Sequence, residues 1–163
     1  MSKTAQITLT VNGEEITATV PVRLNLVDFL RHDLGLTGSH VGCEHGVCGA
    51  CTMEVNGAAV RGCLMLAVQA NGATVTTVEG LSDSGRSAAL AAAMTRRNAL
   101  QCGFCTPGML ASALSYLEGG GGPDKQAIRE HISGNYCRCT GYQSIVEAIC
   151  DVARDAAHEG ASA

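Results

Sequence analysis

Eight of the nine cysteines fall into two sets of four. The first reads Cys43-x4-Cys48-x2-Cys51, with Cys63 further on. Three thiols on one glycine-punctuated loop, Gly42-Cys43-Glu44-His45-Gly46-Val47-Cys48-Gly49-Ala50-Cys51, let the backbone wrap one side of a small anionic centre, and the fourth arrives from the next segment. That spacing holds a [2Fe–2S] cluster on four thiolates, and its chemistry is electron transfer. The second set is Cys102-x2-Cys105 and Cys137-x-Cys139, inside Gln101-Cys102-Gly103-Phe104-Cys105-Thr106-Pro107-Gly108 and Asn135-Tyr136-Cys137-Arg138-Cys139-Thr140-Gly141. Each pair precedes a helical pattern, so both are expected at helix starts, where backbone N–H groups and the positive dipole end favour negative charge. A tetrathiolate [2Fe–2S] centre carries roughly −2 when oxidised and −3 when reduced, so such donors would also tune its potential.

Two other uses of cysteine compete. Disulfides are suggested by the count alone, but the opening Met1-Ser2-Lys3-Thr4-Ala5-Gln6-Ile7-Thr8-Leu9-Thr10 alternates polar and apolar instead of carrying an apolar secretory core. Thiols kept reduced in the cytosol do not build such a framework. Zinc takes its ligands from two separated pairs in structural sites. The first set does not match that pattern; spacing alone leaves zinc open at the second. Cys150, in Ile145-Val146-Glu147-Ala148-Ile149-Cys150, sits in an apolar helical pattern and is expected to pack as a small hydrophobe. With four thiols at hand, His40 and His45 are expected in the loop or around the ligands instead of on the metal, and Glu44 as an exposed loop acid.

The chain that must position these residues has 163 residues, a net charge of −4 and 16% charged residues, enough for one compact unit or two small ones with much surface to bury. Low charge with abundant alanine and glycine suggests partner subunits. Nothing basic or aromatic enough for nucleic acid appears, and no apolar run is long enough for a membrane span, so a soluble, cytoplasmic protein is expected. Residues 7–11 and 16–20 alternate around Asn12-Gly13, a strong hairpin signal, and residues 52–55 and 58–60 repeat it around Asn56-Gly57. Residues 26–34 have helical spacing and stop at Gly35, and residues 74–78 supply another strand. Strands around one helix, with the cysteine loop after it, make a small α+β unit.

The character changes near Gly80. Beyond a Ser82-Asp83-Ser84-Gly85 connector, alanine- and leucine-rich stretches predict helices over 88–100, 108–117, 124–132 and 145–157, a four-helix unit. Gly119-Gly120-Gly121-Gly122 follows a helix and reads as a flexible connector, not a phosphate cradle. Met53, Met65, Met94 and Met109 lie in apolar patterns and are expected in the core.

The two cysteine motifs together, with Cys137-Arg138-Cys139-Thr140-Gly141-Tyr142 closing the second, resemble the iron–sulfur small subunits of the xanthine oxidase family of molybdenum hydroxylases over residues 7–149. The resemblance implies an N-terminal ferredoxin-like β-grasp domain (1–80) followed by a C-terminal four-helix bundle (81–163), each holding one [2Fe–2S] cluster. It implies partners: a large subunit carrying molybdenum-molybdopterin cytosine dinucleotide and a medium subunit carrying FAD, as a heterotrimer or its dimer. By the same resemblance Cys102, Cys105, Cys137 and Cys139 hold the cluster nearer molybdenum, and Cys43, Cys48, Cys51 and Cys63 the one nearer the flavin. Gln101, which matches the glutamine that hydrogen-bonds the pterin, and Cys139 are cofactor-binding by the same resemblance. No residue set of this chain reads as a catalytic acid, base or nucleophile. Substrate oxidation would belong to the large subunit, on an N-heteroaromatic compound, an aldehyde or carbon monoxide, in a bacterial multisubunit enzyme. The alternative is an independent two-cluster ferredoxin-type carrier, although such carriers commonly present a more acidic docking face.

Overall fold

A computed structural model describes residues 3–160, with the side chains of residues 159 and 160 outside that description. The outermost parts of the expected 1–80 and 81–163 units, residues 1–2 and 161–163, therefore lie outside the described residues. The first half is a five-stranded sheet in the order β2-β1-β5-β3-β4. Strands β1 (Thr4–Val11) and β2 (Glu14–Pro21) form the first hairpin, and β3 (Thr52–Val55) and β4 (Ala58–Arg61) the second. Both turn on Asn-Gly pairs whose four residues are left-handed, with φ of 51° and 90° at Asn12 and Gly13 and 50° and 80° at Asn56 and Gly57. This is the turn whose twist matches paired strands. Strand β5 (Thr74–Thr76) joins the hairpins, parallel to β1 and antiparallel to β3.

Helix α1 (Leu26–Asp28) is capped by Asn25, whose Oδ1 accepts the Asp28 N–H at 2.8 Å. It continues over Phe29–Asp33 with a wider turn, Leu34 N–H reaching back to Phe29 O, before Gly35 at φ +72° ends it. Leu26, Val27, Phe29 and Leu30 bury against Leu9, Met53 and Val75 of the sheet. The strand expected over 74–78 stops earlier, because α2 (Val78–Asp83) begins there; a short 3-10 turn at Ala67–Ala70 was also not expected.

The second half is helical: α3 (Ala88–Arg96), α4 (Thr106–Glu118), α5 (Lys125–Ile132) and α6 (Gln143–Gly160), around a core that includes Leu90, Met94, Met109, Ile128, Ile145 and Ile149. Helix α3 stops short of Leu100, with Asn98 left-handed at φ 50°, and α6 starts two residues before the expected Ile145. Asp124 caps α5 through Ala127 N–H at 2.7 Å. Met53, Met94 and Met109 are buried as expected, and Cys150 is fully buried with its thiol on Pro123 O at 3.1 Å. At the tetraglycine, Tyr116 OH donates to Gly122 O at 2.8 Å. Among the described residues no helix is long and apolar enough to cross a membrane.

The halves meet along α4 and β3. Arg86, on the connector, bridges Glu54 of β3 at 2.8 Å and Glu118 of α4 at 2.5 Å.

Candidate metal centres

The end of α1 delivers the chain to the first cysteine loop. Left-handed residues curl that loop inward: Glu44 at φ 57°, Gly46 at +81° and Gly49 at +76°. Only a backbone of this shape turns successive N–H groups to one side. Cys48 N–H consequently points at Cys43 Sγ, at 3.4 Å. The Cys43 thiol is pulled down to about 6, first by that Cys48 N–H and next by the His45 N–H. Cys51 is buried at the head of β3 and is pushed up to about 11, chiefly by burial. Its thiol meets that of Cys63, which the end of β4 brings back across it, with Gly62 N–H on Cys51 O at 3.1 Å.

The second set is assembled from two segments. Cys105 stands at the N-cap of α4, and Cys137 and Cys139 lie on the loop before α6. Cys102 and Cys139 are exposed, with sulfurs 3.5 Å apart. Cys105 is pushed up to about 12 by burial and then by the neighbouring Cys137 thiol. Burial works to raise Cys137, but hydrogen bonds from Thr140, Cys139 and Cys105 together outweigh it and leave this thiol below its ordinary value. Thr140 Oγ1 lies 3.1 Å from Cys137 Sγ, and the hydroxyl of Tyr142, left-handed at φ 68°, accepts the Cys137 N–H at 2.8 Å. Gln101 Nε2 donates to Cys139 O at 3.0 Å, tying the two segments together.

The thiols thus stand in twos: Cys43 with Cys48, Cys51 with Cys63, Cys102 with Cys139, and Cys105 with Cys137. Two thiolates per iron is how a tetrathiolate [2Fe–2S] centre is held. Among the described residues no three His, Cys, Asp or Glu side chains are gathered as one ion would need them. Burial favours the protonated thiol at Cys51 and Cys105, so loading either set displaces protons. Four soft donors in two facing pairs fit the group.

The two sets are joined by hydrogen bonds. Cys48 O accepts the N–H of Tyr136, the residue before Cys137, at 2.8 Å. Asn135, buried, donates to Gly49 O at 3.1 Å and accepts from Ser112 Oγ at 2.8 Å. Gly108 in α4 lies so close to the first loop that a β-carbon on it would sit 2.2 Å from Gly49 O. His40 and His45 approach backbone oxygens instead of the thiols: His40 Nδ1 is 2.8 Å from Phe104 O with its ring stacked on Phe104 at 4.7 Å, and His45 Nδ1 meets Cys43 O.

A 2Fe-2S iron-sulfur cluster binding domain model matches residues 9–75, and a [2Fe-2S] binding domain model matches residues 77–150. The nicotine 6-hydroxylase small subunit of Paenarthrobacter nicotinovorans is 53% identical over 150 residues, covering 92% of this chain and 90% of its own. The chain belongs to the iron–sulfur small subunits of the molybdenum hydroxylase family. The caffeine dehydrogenase subunit gamma of Pseudomonas sp. strain CBB1 is 55% identical over 151 residues, covering 90% of this chain and 89% of its own. A chain of quinoline 2-oxidoreductase from Pseudomonas putida 86 superposes with a TM-score of 0.88 at 48% identity, covering 98% of this chain and 99% of that one. Membership decides what spacing left open at the second set, since both halves match iron–sulfur models, and zinc falls away. It also gives this small subunit its role, electron transfer within a molybdenum-dependent oxidoreductase.

Sequence reasoning missed the residues that join the two sets. Arg61, Thr52 and Asn135 carry no motif of their own; the Asn-Tyr-Cys-Arg-Cys run draws the eye to its cysteines. The one available signal was position, Arg61 and Asn135 each standing two residues before a cysteine.

Proposed function

We propose that this small subunit collects electrons from a molybdopterin-bearing large subunit that oxidises an N-heteroaromatic compound, and passes them to a flavin-bearing medium subunit. In this reading Cys102, Cys105, Cys137 and Cys139 hold one [2Fe–2S] centre and Cys43, Cys48, Cys51 and Cys63 the other, in units spanning 1–80 and 81–163 of a cytoplasmic heterotrimer or its dimer. The observation that carries it is the direct bond between the sets, Tyr136 N–H to Cys48 O at 2.8 Å, which puts the backbone of one ligand within a single hydrogen bond of the residue beside a ligand of the other. The bound groups would supply one-electron acceptance and release. Everything else falls to the chain. Its thiolates hold the iron, its loop N–H groups compensate negative charge, and α4 keeps the sets at a fixed separation.

Entry of electrons is proposed at the face where Cys102 and Cys139 are exposed. There Gln101 has its Nε2 engaged on Cys139 O, leaving Oε1 for a donor on the pterin. Exit is proposed at the first loop. Exposed apolar side chains flank the ligands at both faces, Val47 and Leu64 at one and Leu100, Phe104 and Tyr136 at the other. Such surfaces suit stable cover by subunits better than the transient acidic docking of a free carrier. The choice of substrate class rests on relatives named for nicotine, caffeine and quinoline.

Purification of the native complex tests the reading. About four iron and four acid-labile sulfide per copy of this chain are expected, with two distinguishable paramagnetic centres on reduction and a molybdenum-containing large subunit copurifying. A single centre, or iron without a molybdenum-containing partner, would overturn it.

A further inference from the structure

Arg61 lies at the junction of the two cysteine sets, and its hydrogen bonds cross it. Nη1 donates to Thr52 Oγ1, the residue after Cys51, while Nη2 donates to Gly134 O at 2.9 Å and to Asn135 Oδ1 at 3.4 Å, on the segment leading to Cys137. The acceptors are themselves fixed. Thr52 and Asn135 are buried, Thr52 Oγ1 donates to Gly49 O at 2.6 Å, and Asn135 Nδ2 lies 3.4 Å from Thr52 Oγ1. The guanidinium is thereby held in one place.

Its charge is unmatched. Among the described residues the arginine ion pairs are made by Arg86, Arg97 and Arg154, and every acceptor on Arg61 is neutral. A half-buried cation without a counter-anion is costly to hold. The negative charge close to it would come from the loaded thiolate sets on either side, roughly −2 each and one unit more on taking up an electron. Arg138 offers a contrast, since it is exposed and has, among the described residues, no side-chain partner to fix where its charge falls.

We propose that Arg61 is a fixed counter-charge shared by the two centres, holding the reduction potentials of both higher than the thiolates alone would set them. This rests on the two-centre reading above. Each centre takes up one electron, and the compensating positive charge is already present in the guanidinium, so no proton need accompany the electron. Arg61 is a positioning residue in this scheme, acting through space on groups it does not ligate.

The test is a spectroscopic redox titration of the purified complex carrying R61Q, R61K or no change, with iron quantified first. Iron content reports on the two-centre reading: wild-type protein lacking about four iron per chain fails that reading before the proposal is touched. With iron intact, R61Q is expected to make reduction of both centres roughly tenfold less favourable, about 59 mV downward for a one-electron couple. R61K keeps the charge and should stay near wild type. Unchanged potentials in R61Q, or an equal drop in R61K, would overturn the proposal. If R61Q fails to retain iron, A59E carries the test, because Ala59 is exposed on the same face of β4 two residues away and makes none of the Arg61 hydrogen bonds. Lowered potentials in A59E would support the shared charge, and wild-type potentials there would overturn it.

Discussion

The two cysteine sets reach the same donor chemistry by opposite routes. In the first, three of the four cysteines sit on one continuous loop that left-handed residues curl around its own interior, and Cys63 comes from the end of β4. In the second, two short segments are brought together by the packing of α4 and α6, and the cysteines gain their surroundings from Thr140, Tyr142 and Gln101. The first site is built by backbone conformation, the second by tertiary structure. A loop of the first kind can take shape locally. The second exists only once the helices have closed.

Removing one proposed ligand from each set probes that difference most severely. Cys48→Ser should cost the first centre, about two of four iron, and Cys105→Ser should cost the second, each leaving the other centre's paramagnetic signal. Iron analysis with spectroscopy reads this directly. Loss of both centres from either variant would show that the two routes are not separable.

The next effect is expected where the sites touch. Gly49 is left-handed at φ +76°, and a β-carbon there would lie 2.4 Å from Gly134 O. Gly49→Ala therefore combines backbone strain with overpacking against main chain, a loss of roughly 2–5 kcal/mol measured by chemical denaturation of the holoprotein. Wild-type stability would mean that the loop and the second-site segment are free to separate.

Gln101→Leu is milder and bears on the second site alone. It removes the bond to Cys139 O and, in the proposed complex, a partner for the pterin, a loss of roughly 1–3 kcal/mol. Both centres should assemble, with slower reduction by substrate in rapid mixing. Unaltered reduction rates in an intact complex would leave Gln101 as a tie between segments only.

Cys150→Ser should be smallest. The hydroxyl can keep the contact to Pro123 O, iron content should be unchanged, and about 1 kcal/mol of stability would be lost from the helical core. Iron loss comparable to that of Cys48→Ser would mean the ligand set has been misassigned.

The same contrast governs what was legible in the sequence. Both hairpins could be read because Asn12-Gly13 and Asn56-Gly57 encode their turns within two residues, and the candidate ligands could be read because spacing is local information. Helix α2 was hidden by a β-branched run: Thr74-Val75-Thr76-Thr77-Val78 looks like one strand, yet the Thr77 hydroxyl bonds Glu79 at 2.6 Å and the helix starts at Val78. The junction was invisible for a different reason. Arg61 meets Gly134 across 73 positions and Asn135 meets Gly49 across 86, and no periodicity or spacing in one sequence announces such meetings.

The approach of Gly108 to the first loop bears on inheritance. The two halves match separate family models and look like parts that recombination could exchange, yet at Gly108 they meet main chain against main chain with no room for a side chain. A helical half taken from elsewhere and bearing any β-carbon at that position would hold α4 away from Gly49 O and Ala50 O. Exchange across this boundary is thus limited to donors with glycine at that point of the helix. Any half exchanged across this boundary must bring that close approach with it.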